Sequence, residues 1–147
     1  MTPGDLAALH AAAFTQERPW STHEFAELLA HPLTHIETAE AGFALWRGIA
    51  GEAELLTIAV DPAHQRHGLG TALMRGWMAA ASRSCDSAFL EVASDNTSAC
   101  ALYQKHGFDV VATRAGYYKR ETARADALVM RAALPFSVLK KSSGGIG

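Results

Sequence analysis

The sequence predicts a single layered α/β (α+β) domain, and three observations carry that expectation. The chain has 147 residues, 49% hydrophobic and 19% charged, which closes one core without metal or disulfide staples. Hydrophobic patterns of helix and strand period follow in the order helices, strands, helix, strand, helix, strands, an order that layers helices on a sheet. One short apolar run, Glu54 to Val60, ends at Asp61-Pro62 and leads into a glycine turn and a helix, as a centrally placed strand does.

The elements follow from local signals. Asp5 is placed to cap a helix through Leu6, Leu9 and Ala13, and Pro19 falls in the break after it. Ser21-Thr22-His23-Glu24 fits a capping box, with Phe25, Leu28 and Leu29 on the helix behind it and His31-Pro32 to stop it. One strand is expected within His35 to Trp46, with its turn at Gly48 and Gly51, followed by the Glu54 to Val60 strand. Thr71 to Arg83 reads as a helix with Leu69, Leu73, Trp77 and Ala80 on one side. Asp86 to Ala93 reads as a strand and Asn96 to His106 as a helix, with Gly107 in the left-handed position past its end. Phe108 to Thr113 and Asp126 to Leu134 close the sheet. The domain is expected over 1–136, and the tail 137–147, rich in Ser and Gly, has the composition of a flexible end.

Several function classes are excluded by composition. The formal net charge is -2 and the sequence pI about 6.4, without the basic stripe of a nucleic-acid binder. Cys85 and Cys100 form no C-x-x-C pair and have no metal-ligand spacing to the histidines, so no metal is expected and a reduced, cytoplasmic protein is. Met1 to Leu6 lacks the basic-then-apolar pattern of a signal peptide, and no run approaches the roughly 20 apolar residues of a membrane span. No membrane partner is expected, and the chain is read as a monomer or homodimer.

Gln65-Arg66-His67-Gly68-Leu69-Gly70-Thr71 lies between a buried strand and a helix. Unpaired N–H groups at a helix start, with the helix dipole behind them, form a phosphate or pyrophosphate site, and glycines let the ligand approach the backbone. Arg66 adds a possible charge-assisted contact. A plain loop-to-helix turn fits the same residues. A P-loop does not, because no Lys precedes Thr71. A dinucleotide fingerprint fits poorly: Leu73 stands for its third glycine, and the loop Asp61 to His67 is too long for its tight turn, although Glu91 lies at about the right distance for its acid.

Val60-Asp61-Pro62 followed by Gln65-Arg66-x-Gly68-x-Gly70 resembles the signature of the GNAT acetyltransferase superfamily, in which Q/R-x-x-G-x-G/A binds the pyrophosphate of acetyl-CoA. A second block, Leu90-Glu91-Val92, Asn96, Ala101-Leu102-Tyr103 and Gly107-Phe108, resembles the end of that family's cofactor region. Within the superfamily, Pro19-Trp20-Ser21, Ile58-Ala59-Val60-Asp61-Pro62 and Tyr117-Tyr118 are most similar to the ribosomal-protein alanine N-acetyltransferases. The resemblance covers roughly Leu6 to Leu134. It implies a mixed, mostly antiparallel sheet whose central strands splay, flanked by helices. It also implies acetyl-CoA in the gap against Ile58, Ala59 and Val60, with Gln65, Arg66, His67, Gly68, Leu69, Gly70 and Thr71 around its pyrophosphate. The family's N-terminal strand has no counterpart here, which leaves one sheet edge open or filled by a partner.

Acetyl transfer to an amine needs a neutral amine, a donor for the developing oxyanion, a proton for the leaving thiolate and two reactants held together. Glu91 is the candidate base: it sits in the apolar strand Ala88 to Ala93, sharing a face with Phe89 and Ala93. The strand pattern alone fits equally a carboxylate facing water; the resemblance implies a proton acceptor. Tyr103 alone fits a core tyrosine beside Ala99, Leu102 and His106; the resemblance implies the proton donor, and its phenol is protonated at neutral pH. Asn96 fits a helix N-cap and, by resemblance, a hydrogen-bonding partner of the cofactor. Glu54 is a reserve base, Trp20, Tyr117 and Tyr118 are expected at the acceptor, and the histidine side chains are assigned no role. Arg114-Ala115-Gly116 and Lys119 depart from the family pattern around the tyrosines, where the acceptor pocket is shaped. The acceptor is expected to be a protein N-terminal α-amine, such as that of a ribosomal protein. The alternatives are a small-molecule amine, a non-catalytic acyl-CoA-binding module and a dinucleotide-binding domain.

Overall fold

The computed structural model describes residues 1–65 and 68–135; the expected tail 137–147 and the turn residues Arg66 and His67 lie outside the described residues. The first helix, α1 (Pro3–Ala13), is capped by Thr2, not by Asp5. Asp5 sits three residues in and completes a capping box, its carboxylate accepting from the Thr2 N–H at 2.8 Å. Pro3 at the first helical position has no N–H to leave unpaired, so the helix starts before the residue expected to cap it. The expected box on α2 (Thr22–Ala30) is present, with Ser21 and Glu24 exchanging hydrogen bonds.

The single strand expected within 35–46 is two, β1 (Thr34–Ala39) and β2 (Gly42–Ile49), folded back on each other at Glu40-Ala41. Strand β3 (Glu52–Val60) follows the turn at Ala50-Gly51, then come α3 (Leu69–Ala81), β4 (Ser87–Ala93), α4 (Thr97–Lys105), β5 (Asp109–Lys119) and β6 (Arg124–Ala133). Helix α3 starts and ends two residues earlier than its pattern suggested, and β5 runs on through Tyr117 and Tyr118.

The six strands form one sheet in the order β1-β2-β3-β4-β6-β5, antiparallel except where β3 meets β4. Its first strand along the described chain is β1, preceded only by helices. Leu6 and Phe25, from α1 and α2, pack with Phe43 and Leu45 on one face. Met74, Trp77 and Met78 of α3, with Tyr103 of α4, pack with Ala44, Trp46 and Leu90 on the other. Strand β2 is therefore buried on both faces, which hides the alternation expected of a strand.

Two irregularities shape the rest. Leu45 pairs with Thr57 and Trp46 with Leu55, so Leu56 is an extra residue in β3. Such a bulge bends a strand and increases its twist. The parallel pairing of β3 with β4 covers only Glu52↔Ser87, Ala53↔Ala88 and Glu54↔Phe89 and stops where the bulge begins. Beyond it the strands diverge, as the resemblance implied. The second irregularity lies in β5, where Arg114 pairs with Ala127 and Tyr118 with Ala125. Residues 115–117 bulge outward, with Gly116 at φ 62, its N–H donated to Asp126 Oδ1 at 2.9 Å. A left-handed φ of this kind favours glycine.

Candidate active site

The divergence of β3 and β4 opens a cleft of about 740 Å³. One wall is Leu55 to Val60 and the other Leu90 to Ala93; each strand is paired on its outer side only, with β2 and β6 respectively. Backbone donors and acceptors on the inner edges are thus left to a ligand or to solvent. Ile58, Ala59 and Val60 all line the cleft, as expected.

The start of α3 borders the cleft. Gly68 is its N-cap at φ 73, a left-handed conformation, and makes no side-chain cap; a Cβ built there meets nothing within 4 Å. The caps of α1, α2 and α4, by contrast, are Thr2, Ser21 and Asn96, each accepting a first-turn N–H. Gly68, Gly70 and Thr71 line the cleft, and the first-turn N–H groups, Leu69 included, suit an anion such as a pyrophosphate. Gln65 also lines it, but its side-chain amide is donated to the Val60 carbonyl at 3.3 Å, so it tethers the loop to the end of β3. Arg66 and His67 belong to the undescribed gap. Lys105, at the end of α4, carried no distinctive signal in the sequence; its Nζ lies 3.5 Å from Thr71 Oγ1 and brings a cation to the same turn.

Asn96 caps α4, its Oδ1 accepting from Ala99 N–H at 3.2 Å, and also lines the cleft. With the oxygen engaged, its NH₂ is the group left to offer a ligand. Tyr103 lines the cleft from α4 at 7% exposure, edge-on to Phe108. Burial pushes its phenol well above the ordinary range, so it keeps its proton at neutral pH.

Glu91 stands on the β4 wall, its side chain 32% exposed, with Oε2 3.8 Å from Arg114 Nε. Burial, then the charges of Glu91 and Glu17, push the Tyr118 phenol up to about 12. Tyr118 reaches the cleft because the bulge at 115–117 aims it inward. Tyr117 is not among the lining residues: it is 52% exposed, under the Arg114 guanidinium and edge-on to Tyr118. Glu54 is not in the cleft either; it pairs with Arg47 at 3.0 Å, which removes it as a reserve base.

The α1–α2 connection also borders the cleft. Trp20 lines it, and so does His10, which carried no distinctive signal in the sequence. His10 is 3% exposed, stacked on Phe14 and Trp20 with centroids 4.2 and 5.0 Å away, and its Nδ1 accepts from the Trp20 N–H at 3.1 Å. Burial is the main reason its pKa falls to about 4, the charges of Glu24 and Arg18 opposing each other. The folded state therefore refuses a proton that the unfolded chain accepts below pH 6.5. Stability is full above that pH and falls by roughly 2–3 kcal/mol as pH drops toward 4. The carboxylates held low, Asp5, Glu24 and Asp95, lose their contributions at lower pH still. Urea midpoints at pH 7 and pH 4.5 should show the loss in the wild type, and His10→Phe should flatten it.

Among the described residues, no group of three or more His, Cys, Asp or Glu is arranged to hold a metal ion. No described helix is long and apolar enough to cross a membrane.

Comparison with known proteins accords with this geometry. Residues 7–108 match the model of the acetyltransferase (GNAT) family. The [ribosomal protein bS18]-alanine N-acetyltransferase of Escherichia coli K12 is 35% identical over 90% of this chain and 91% of its own. The N-alpha-acetyltransferase RimI of Mycobacterium tuberculosis is 37% identical over 85% of this chain and 82% of its own. A crystal structure of the Escherichia coli ribosomal-protein-S18-alanine N-acetyltransferase superposes with a TM-score of 0.81 at 30% identity, covering 92% of this chain and 89% of that one. The chain belongs to the GNAT acetyltransferase family and is an acetyl-CoA-dependent N-acetyltransferase.

Proposed function

We propose that this chain transfers the acetyl group of acetyl-CoA to the N-terminal α-amine of a protein, such as a ribosomal protein, by direct attack in a ternary complex. The observation that carries this reading is the cleft itself. It brings the uncapped start of α3, a carboxylate, Glu91, and the aromatic side chains Trp20 and Tyr118 to one cavity. Two relatives alike over most of both chains, an alanine N-acetyltransferase and an N-alpha-acetyltransferase, favour a protein N-terminus as acceptor.

The residues fit the co-substrate. The uncapped turn at Gly68 to Thr71, with Lys105 beside it, suits the pyrophosphate, and the inner edge of Ile58 to Val60 suits an amide-bearing arm. Bound acetyl-CoA supplies the reactive thioester. Glu91 takes the proton of the entering ammonium, directly or through water, and Tyr103 holds a proton for the leaving sulfur. Asn96 donates to the co-substrate while capping α4. Trp20 and Tyr118 flank the acceptor, with Tyr117 at the rim. We assign the catalytic domain to 1–136 and the flexible tail to 137–147. We place the protein in the cytoplasm, a reading supported by free thiols at Cys85 and Cys100.

The test presents peptides with a free N-terminal alanine beside a panel of small amines, with acetyl-CoA, and reads products by mass spectrometry. Acetylation of the peptide α-amine, lost when that amine is blocked, is expected. Turnover confined to the small amines refutes the acceptor assignment, and cofactor binding without turnover on any amine refutes catalysis.

A further inference from the structure

Arg120 follows β5 directly, yet only 12% of its side chain is exposed. Its guanidinium makes four hydrogen bonds. Nε donates to Asp95 Oδ2 at 2.7 Å and an Nη donates to Asp95 Oδ1 at 2.9 Å, a two-pronged grip on one carboxylate. The same Nη reaches Glu17 Oε1 at 3.0 Å, and the other Nη donates to the Lys119 carbonyl at 3.1 Å. The plane of charge also lies over the Tyr118 ring, 5.5 Å from its centroid.

The partners come from three segments that meet at the cleft. Glu17 lies in the α1–α2 connection that carries Trp20. Asp95 lies between β4 and α4, next to Asn96. Tyr118 is the β5 residue that lines the cleft with Glu91. Glu17, Asp95 and Tyr118 all line the cleft. Two carboxylates face one guanidinium, so without it they repel each other across the junction. A planar fork grips Asp95 at two points while holding Glu17, which the compact ammonium of lysine does less well.

We propose that Arg120 is a positioning residue that clamps the α1–α2 connection, the β4–α4 turn and Tyr118 into one wall, so that the acceptor meets a formed surface. This rests on the N-terminal acetylation reading above. It assigns Arg120 no contact with the reacting atoms. Glu17→Gln removes the charge from the tie to the α1–α2 connection, leaving an amide oxygen as a weaker acceptor, and leaves the Asp95 pair in place.

The experiment measures kcat, acceptor KM and acetyl-CoA KM for Arg120→Ala, Arg120→Lys and Glu17→Gln. Amide hydrogen exchange is followed over residues 14–20, with 73–78 of α3 as an internal control of folding. Arg120→Ala is expected to raise acceptor KM about tenfold, with acetyl-CoA KM within about twofold. Arg120→Lys should fall between it and the wild type. Glu17→Gln should raise acceptor KM by a few-fold, and the Glu17→Gln, Arg120→Ala double variant should be no worse than Arg120→Ala. Exchange over 14–20 should quicken in the alanine variant while 73–78 stays protected. Unchanged acceptor KM, equal rises in both KM values, or unchanged exchange over 14–20 overturns the proposal. A wild type inactive on every N-terminal peptide ends the acceptor reading; the clamp is then judged on exchange alone.

Discussion

Glu91→Gln is expected to lower kcat/KM for acetyl transfer by about 10²–10⁴, the usual contribution of a positioned general base. The amide keeps the shape of the carboxylate, so folding and acetyl-CoA affinity should hardly change. What it loses is the capacity to take a proton from the ammonium that enters. The pH profile separates this from a packing defect. An α-amine has an ordinary pKa near 7.7–8.0, so at pH 9 it arrives neutral and needs less help. The deficit of the variant should therefore be largest near pH 6.5 and shrink as pH rises. Arg114 Nε lies 3.8 Å from the same carboxylate, so the variant also loses an ionic partner of Arg114. Steady-state rates from pH 6 to 9.5 on an N-terminal peptide decide the matter. A deficit that stays constant over that range, or none at all, assigns the proton to another group.

Trp77→Ala is expected to cost about 3–5 kcal/mol of stability, the range for deleting a buried aromatic, and to lower Tm by roughly 10 °C or more. The side chain is fully buried in the middle of α3, between Trp46 and Phe108 with centroids 6.5 and 6.3 Å away. Its indole N–H donates to Met74 Sδ at 3.2 Å, one turn earlier on the same helix, so its polar atom is satisfied without leaving the core. Alanine would leave a cavity lined by large, rigid rings that collapse poorly. The functional consequence follows from where α3 begins. The same helix presents Gly68 to Thr71, so loosening its seat on the sheet should weaken acetyl-CoA binding even at temperatures where the protein remains folded. Thermal melts with and without acetyl-CoA measure both effects. A Tm within about 2 °C of wild type would show that the cavity refills.

Much of this was legible in the sequence because it rests on local rules. The Ser21–Glu24 box, the Asn96 cap, the left-handed Gly107 and the glycine turn each depend on residues within a few positions of one another. The cap at Thr2 is as local: Thr-Pro-x-Asp is a capping box with proline at the first helical position. The split between β1 and β2 was hidden because Phe43 to Trp46 are buried on both faces and the turn at Glu40-Ala41 carries no proline or asparagine. The Arg120 junction was not legible at all. Its partners lie 25 and 103 residues away in the chain, and only the folded sheet brings them together. His10 was unremarkable on its helix until the α1–α2 connection folded Trp20 onto it. The inward turn of Tyr118, with Tyr117 left outside, depends on a bulge that Gly116 hinted at and the strand pattern concealed.

The extra residue at Leu56 bears on how this protein can vary. Because the wedge between β3 and β4 is made of main chain, the part of the ligand lying along it is read by peptide groups common to nearly every amino acid. Side chains there can drift, provided the strand keeps its count of residues. Insertions and deletions cannot: removing Leu56 would restore regular pairing with β2, Thr57 still opposite Leu45, and take away the extra residue that bends β3 away from β4. Donor recognition is thus guarded by length and acceptor recognition by side-chain identity, and the two can evolve at different rates within one chain.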